Sequence, residues 1–512
     1  MDEDIEEKII KEEDEKKAKA KLEEHDYQLP DMILKWIETG EKYSKYNEFP
    51  LTMCYYNILG QIVKDFVKIP NDGNHHDTRF HFVWLQTART GKSAVWGFMN
   101  GVLQGTYAKI NAMREDTLKK LSTDGQKELE KYVKKNNIFD ITVYTSASLI
   151  GTFIENDKFA HINGVNGFTC NTMDNDTPSN ICNCESEDNP RKLFIPGALH
   201  GSGIAHWDEF ESSGIFNLKK HNEDMLVTFQ TFMNNIDIES EGHIISKYLA
   251  GVSSVGKCDC QRSLYATSYV PQNLAEVIRN SGVLQRAFIY VREVPSEIRK
   301  SIHDHIIDTM GEDSSKEIDL SEFITHFSDI YSSLMQKRNE GTKPSEMMTL
   351  DKNVKEVMRQ TKIWLDDHIK NSMPEIKESV DLFMNNLIIY HMKLATLIAI
   401  SRGSYTIGLS DIHLASDHVK KAYKELVGWL EQGIRIQTST LQNKSGLNTF
   451  IQVYMDSTKN EDGYVNKKKY MEDVGAKLGK APASVYRYWS KVNNSFEETN
   501  IGTSKYIKYI GD

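Results

Sequence analysis

A short apolar run that passes into a loop and then a helix sets the first constraint on the fold. Residues 80–85 (FHFVWL) have the length and composition of a buried strand, and residues 86–93 (QTARTGKS) lead into a helical pattern. Backbone N–H groups of such a loop and the helix N-terminus face a common anion. Gly91 would let the backbone approach closely, Lys92 would reach the terminal phosphates, and Ser93 would offer a hydroxyl to Mg²⁺.

Gln86 is a departure from this phosphate-loop pattern, which has glycine at that position. A Gly-Lys-Ser or Gly-Lys-Thr triplet alone is weak, because average composition would produce one by chance in roughly a quarter of chains this long. The strand before it and the helix after it make it informative. The predicted nucleotide-binding residues are Gln86, Thr87, Ala88, Arg89, Thr90, Gly91, Lys92 and Ser93.

A second strand-like run, residues 203–207 (GIAHW), ends in two adjacent carboxylates. Asp208 would join the coordination shell of Mg²⁺, and Glu209 would polarise an attacking water. An exposed Asp-Glu pair at a strand end is common by itself. Combined with the loop, it predicts a nucleoside triphosphatase.

Two further polar positions border strand-like runs. Thr267 and Ser268 end a run that, placed between the two strands above, would bring a hydroxyl to the γ-phosphate or the water; a plain strand cap is the alternative. Arg286 immediately precedes the apolar residues 287–291. It would lie at the surface, either in a salt bridge or close to the nucleotide of a neighbouring subunit.

Strands that alternate with helices predict an α/β fold, with a mostly parallel sheet and helices on both faces. The chain is predicted to contain an acidic tail, helical or disordered (1–25), an N-terminal helical segment (26–76), an ATPase core (77–300) with an insertion at 162–192, a helical region (301–436), a linker (437–447) and a C-terminal domain (448–512).

Composition favours a soluble, cytoplasmic protein with no membrane partner. Hydrophobic residues make up 39% and charged residues 26%, which excludes a membrane protein and a globally disordered chain. The longest apolar run, residues 387–400, contains His391 and Lys393 and is too short to span a bilayer. The acidic tail holds 11 acidic and 6 basic residues, or −5 of the net charge of −11. The remaining body can therefore carry a local basic channel.

The order of these motifs resembles that of AAA+ ATPases. Residues 80–292 are most similar to the minichromosome maintenance (MCM) helicase branch and to related helicase ATPases of phages and mobile elements, and residues 196–211 (PGALHGSGIAHWDEFE) carry the closest likeness. The resemblance implies ATP and Mg²⁺ as cofactors. It assigns ATP binding to Lys92, metal binding to Ser93 and Asp208, catalysis to Glu209, nucleotide sensing to Thr267 or Ser268, and a trans-acting finger to Arg286.

The resemblance also implies a homohexameric ring that moves along single-stranded DNA during replication of a virus or mobile element, with replication proteins as further partners. Lys247, or else Lys257, would reach the DNA from a hairpin in the pore; both could be ordinary surface lysines. A helical lid would span about 376–436, with Lys393 either sensing nucleotide or flanking the core. Alternatives are a remodeller or helicase loader, or a non-hydrolysing DNA adaptor, which the altered loop at Gln86 keeps open.

Residues 448–512 predict a winged helix of three helices and a hairpin with Gly502 at its centre. Ten basic and eight acidic residues give it only +2, so both DNA contact and protein docking stay open. Its predicted DNA contacts are Lys477, Arg487 and Lys491.

Two Cys-x-Cys pairs, Cys182/Cys184 and Cys258/Cys260, could supply four thiolates to zinc. Their spacing is tighter than that of common structural zinc sites, so reduced, unliganded cysteines are the preferred interpretation.

Overall fold

A computed structural model describes residues 27–71, 74–141, 149, 151–155, 192–197, 199–210, 223–236, 244–248, 255–271, 273–308, 318–340, 346–444, 447–478, 485–486, 489, 493–502 and 504–510. The chain divides into two compact units, Met1–Val427 and Gly428–Asp512. The acidic tail and residues 162–191 of the predicted insertion, with Cys170, Cys182 and Cys184, lie outside the described residues. Cys54 and Cys260 are buried.

The first unit mixes helices and strands. Its helices are α1 (Asp31–Glu41), α2 (Glu48–Val63), α3 (Lys92–Lys120), α4 (Thr123–Tyr132), α5 (Glu223–Met233), α6 (Leu274–Ser281), α7 (Ser296–Asp308), α8 (Ser321–Glu340), α9 (Val354–Asn371), α10 (Pro374–Ser401) and α11 (Leu409–Lys444), the last of which contains the division between the units. Its strands are β1 (Val67–Asn71), β2 (Asn74–His76), β3 (Phe82–Gln86), β4 (Asn136–Ile141), β5 (Gly151–Glu155), β6 (Lys192–Pro196), β7 (Gly201–Trp207), β8 (Ile244–Tyr248), β9 (Val255–Ser268), β10 (Phe288–Arg292), β11 (Glu346–Met347), β12 (Thr349–Leu350) and β13 (Thr406–Ile407).

Five parallel strands form the central sheet in the order β10-β3-β9-β7-β4. The predicted α/β class and parallel sheet are confirmed. The strand that ends in Ser268 lies between the two strands that lead to the phosphate-loop pattern and to the carboxylates, as predicted. The first part of β9 also pairs with β8 as an antiparallel hairpin.

Helices cover both faces of this sheet. Neighbouring residues of a strand point to opposite faces, so His206 and Trp207 of β7 contact different helices. The Trp207 ring lies 4.7 Å from Phe229 of α5, whereas the His206 ring stacks at 3.7 Å on Trp96 of α3. On the α3 side, Trp36 of α1 packs against Phe98 at 4.3 Å and completes an aromatic core that α2 and α8 share.

Helix α10 is long and apolar enough to cross a membrane, but 83% of its apolar window is buried inside the protein. It is the only such helix among the described residues. Its Asn386 side chain donates to the carbonyl of Ala287, at the start of β10, at 2.6 Å. These contacts are those of a helix packed in the core of the protein.

The second unit holds α12 (Leu447–Asp456), β14 (Val465–Asn466), α13 (Lys467–Leu478), β15 (Phe496–Ile501) and β16 (Ser504–Tyr509). The strands pair antiparallel in the order β14-β16-β15, and Gly502 takes φ 63° in the turn between β15 and β16. Most of the predicted third helix, with Arg487 and Lys491, lies outside the described residues. Residues 437–444 of the predicted linker 437–447 belong to α11, and Leu447 begins α12. The core of this unit contains Phe450, Val453, Tyr454, Val465, Tyr470, Met471, Val474, Val485, Trp489, Phe496 and Ile507.

Candidate functional site at the carboxyl edge of the sheet

The phosphate-loop pattern and the acidic pair lie at the same edge of the sheet, one on each side of β9. Parallel strands end on the same side, and ligands of such sheets bind beyond their carboxyl ends. Leu85 of β3 pairs with Ser268 of β9, and Trp207 of β7 pairs with Ala266 of the same central strand. The loop after β3 and Asp208 after β7 therefore flank the end of β9.

Two residues of the loop have a left-handed backbone conformation before α3 begins. Arg89 has φ 59° and Gly91, the residue that caps α3, has φ 93°. The Lys92 ammonium donates to the carbonyl oxygens of Gln86 at 2.7 Å and Thr87 at 3.2 Å. The positive charge of Lys92 therefore lies against the backbone of the loop.

The Asp208 carboxylate is oriented by the central strand. The Thr267 hydroxyl donates to Asp208 Oδ1 at 2.6 Å, and the Glu209 backbone N–H donates to the same oxygen at 3.1 Å. Glu209 has φ 52°, a left-handed conformation that costs a non-glycine residue about 1 kcal/mol. Such strain concentrates at functional sites.

A cleft of 650 Å³ opens beside the loop, within the size range of small-molecule sites. Its other wall belongs to α7, where His303 and Ile307 lie one helical turn apart. Sequence reasoning missed both residues, since nothing in the α7 pattern indicates that it faces the loop. The loop side of the cleft is lined by Arg89, Thr90, Gly91, Lys92, Ser93 and Ala94.

An aromatic stack supports the first turn of α3. Trp96 stacks on His206 at 3.7 Å and on Tyr265 at 5.5 Å. Burial lowers the pKa of His206, although its Nδ1 lies 2.7 Å from Asp140, which raises the pKa. The His206 ring therefore packs directly against α3, the helix that follows the loop.

Arg286 occupies the opposite edge of the sheet, just before β10 begins. Its Nε donates to Asn234 Oδ1 at 2.9 Å, and its Nη1 donates to the carbonyl of Gly282. Burial lowers the pKa of the guanidinium. Arg286 therefore does not line the cleft of its own chain.

Lys393, predicted either to sense nucleotide or to flank the core, does not line the cleft. Its side chain is buried on α10, donates to the Arg79 carbonyl at 2.8 Å and lies 3.5 Å from Asp77. Arg79 precedes β3, so this cluster is at the amino edge. Burial would raise the pKa of Asp77, but Arg79 and Lys393 outweigh it and hold that pKa well below its usual range. The alternative role, a lysine flanking the core, matches this position.

The structure describes the predicted DNA-binding residues to different extents. Lys247 lies on β8, opposite Gly256, and Lys257 lies on the partner strand; their side chains are outside the described part. Lys477 of α13 is exposed and pairs with Asp456 at 3.2 Å.

Within the described residues, no group of three or more His, Cys, Asp or Glu side chains is arranged to hold a metal ion. Compared with known proteins, the sequence matches no family model, and no curated protein matches it significantly.

Proposed function

We propose that this chain binds and hydrolyses ATP with Mg²⁺ at the carboxyl edge of its sheet. One observation carries the proposal: Thr267, on the strand between the loop and the acidic pair, donates to Asp208 at 2.6 Å. A hydroxyl that fixes a carboxylate beside a phosphate-binding loop is suited to placing a metal-bound triphosphate.

Each residue then has a distinct task. Loop N–H groups would hold the phosphates, and Lys92 would exchange its two carbonyl partners for phosphate oxygens. Ser93 and Asp208 suit Mg²⁺, which prefers a few oxygen ligands plus substrate phosphates. Mg²⁺ supplies charge neutralisation on the phosphates when bound. Glu209 would orient the attacking water, and Thr267 and Ser268 would sense the γ-phosphate.

We further propose a ring-forming AAA+ motor that moves along DNA, with α10 and α11 as its lid and the second unit as a winged helix. Three features support it: the position of β9 between β3 and β7, the β8–β9 hairpin that carries Lys247 and Lys257, and the location of Arg286 away from its own cleft. An arginine at that edge suits contact with the nucleotide of a neighbouring copy.

The ATPase proposal is tested by phosphate release. Lys92→Ala and Glu209→Gln should both abolish turnover, and Glu209→Gln should still bind ATP because the loop is intact. Lys109→Ala, an exposed lysine of the same helix, is the matched control and should retain the wild-type rate. Turnover that survives Glu209→Gln would refute the assigned water-orienting role. A wild-type chain that binds ATP without hydrolysing it would instead favour the non-hydrolysing adaptor.

The DNA proposal needs a separate measurement. ATPase rate with and without single-stranded DNA, strand separation of a forked duplex, and the mass of the assembly with ATP should show stimulation, unwinding and a ring. Hydrolysis that ignores DNA, with no strand separation, would favour a protein remodeller or helicase loader.

A further inference from the structure

We propose that Gln86 and Asn47 are positioning residues whose hydrogen bonds fix the conformation of the phosphate loop. The turn between α1 and α2 thereby contributes to the binding site. The inference rests on the proposed ATP binding. It explains why this loop has glutamine where the common pattern has glycine.

Gln86 is fully buried, and its amide is satisfied on both sides. Its Nε2 donates to Thr90 Oγ1 at 2.8 Å and to Asn47 Oδ1 at 3.1 Å, and its Oε1 accepts from the Trp84 indole at 2.9 Å. As the last residue of β3, Gln86 has an extended backbone that any residue can adopt. The left-handed positions of the loop are Arg89 and Gly91, so glycine is not required at position 86.

Asn47 extends the same network from the α1–α2 turn. Its Nδ2 donates to the Thr90 carbonyl at 3.0 Å and to Ser44 Oγ at 2.7 Å, while the Thr90 hydroxyl donates to the Thr87 carbonyl at 2.6 Å. The C=O and N–H of a trans peptide point in opposite directions. Holding the Thr90 carbonyl towards Asn47 therefore turns the Gly91 N–H away from Asn47.

The turn itself is fixed in place. Arg292, at the end of β10, donates to the carbonyl of Tyr46. Ser44 lies directly against Gly91, where an added Cβ would come within 1.9 Å of its hydroxyl oxygen. The turn therefore packs directly against the loop at Gly91.

Restoring the common residue should harm the site. A glycine at position 86 would leave the buried Trp84 indole N–H, the Asn47 amide oxygen and the Thr90 hydroxyl without this partner. Buried polar groups that lose a partner are costly, and the loop would relax to recover water contacts.

The matched control is Asn57→Ala. Asn57 is also buried on α2, and its amide donates to the carbonyls of Phe80 and Leu264 rather than to the loop. Asn47→Ala and Gln86→Gly should each weaken binding of a non-hydrolysable ATP analogue about tenfold. Asn57→Ala should destabilise the fold comparably but leave the affinity within about twofold. Wild-type affinity in Gln86→Gly, or an equal loss in Asn57→Ala, would overturn the inference.

Hydrogen exchange without nucleotide separates this inference from the proposed function. Peptides covering residues 86–93 should exchange faster in Asn47→Ala and Gln86→Gly than in wild type and Asn57→Ala. Unchanged exchange there would overturn the positioning role even if the wild-type chain hydrolyses ATP. Failure of the wild-type chain to bind the analogue, with faster loop exchange in both variants, would defeat the proposed function but retain the support given to the loop.

Discussion

Gly91 is enclosed on the side where any other residue would carry its Cβ. At φ 93° an alanine is strained, and its methyl would meet Ser44 Oγ at 1.9 Å. We expect Gly91→Ala to lower the free energy of unfolding by about 3 kcal/mol, from backbone strain plus overpacking. Urea unfolding measures this loss.

Two variants separate the causes of that loss. Gly97→Ala lies on the same helix with nothing within 4 Å of the added methyl, and should stabilise the protein by about 0.5–1 kcal/mol. Adding Ser44→Ala to Gly91→Ala should recover the part due to the clash and leave the strain. A Gly91→Ala protein as stable as wild type would show that the turn does not press on the loop.

Among the helices, α10 carries a buried lysine that belongs to the amino edge of the sheet. Lys393→Met removes one of two cations beside Asp77 but leaves Arg79 in place. We expect a loss of about 2 kcal/mol in unfolding free energy, with ATP affinity unchanged. The exposed Lys377→Met on the same helix should change stability by less than about 0.5 kcal/mol. A Lys393→Met protein of normal stability that no longer binds ATP would restore Lys393 as a nucleotide sensor.

The same helix contains a histidine buried in its neutral form. Burial lowers the pKa of His391 to about 4, and its Nε2 lies 3.0 Å from the Ile412 carbonyl. Its folded pKa is below the ordinary value, so its contribution to stability is present above about pH 6.5 and lost as pH falls towards 4. That contribution is about 3 kcal/mol.

Comparison with His391→Gln isolates this effect from other acid-sensitive groups. Urea titrations of both proteins at pH 7 and pH 4 should show the wild type losing about 3 kcal/mol more than the variant over that interval. Parallel losses in the two proteins would mean that His391 does not titrate as a buried group.

The sequence predicts those features that depend on residues close together in the chain, and it does not predict contacts between distant residues. The β3–loop–α3 unit and the acidic pair were predictable because each is a local pattern, and the parallel-strand rule then brings them to one edge. Lys393 and Asn47 were not, because their partners are distant in the chain: Lys393 meets the Arg79 carbonyl, and Asn47 meets Thr90 and Gln86. An apolar helix pattern does not reveal which buried carboxylate its lysine will meet.

Across the whole molecule, Arg286 and the cleft lie at opposite edges of one sheet, so a single chain does not bring them together. Head-to-tail contact between copies would do so, and such contacts form a ring when the rotation between copies closes. Lys92→Ala and Arg286→Ala should each be inactive alone. Mixed in equal amounts, they should recover up to about a quarter of the wild-type ATPase rate, since one interface in four would pair an intact loop with an intact arginine.

The control for mixing uses two defects on the same side of the shared site. Lys92→Ala mixed with Glu209→Gln should recover nothing, because every interface still lacks part of its loop or its carboxylate pair. Recovery in that mixture, or none in the first, would count against a site built from two chains.

Two contacts made by the N-terminal helical segment matter for shortened versions of this protein. Trp36 packs on Phe98, and Ser44 lies directly against Gly91. A fragment cut to begin at the first recognisable motif, near residue 80, would discard α1 and α2. The fragment would expose Phe98 to water, and the loop would lose its contacts with Ser44 and Asn47. The smallest stable fragment that retains the proposed triphosphate site should therefore begin ahead of Asp31.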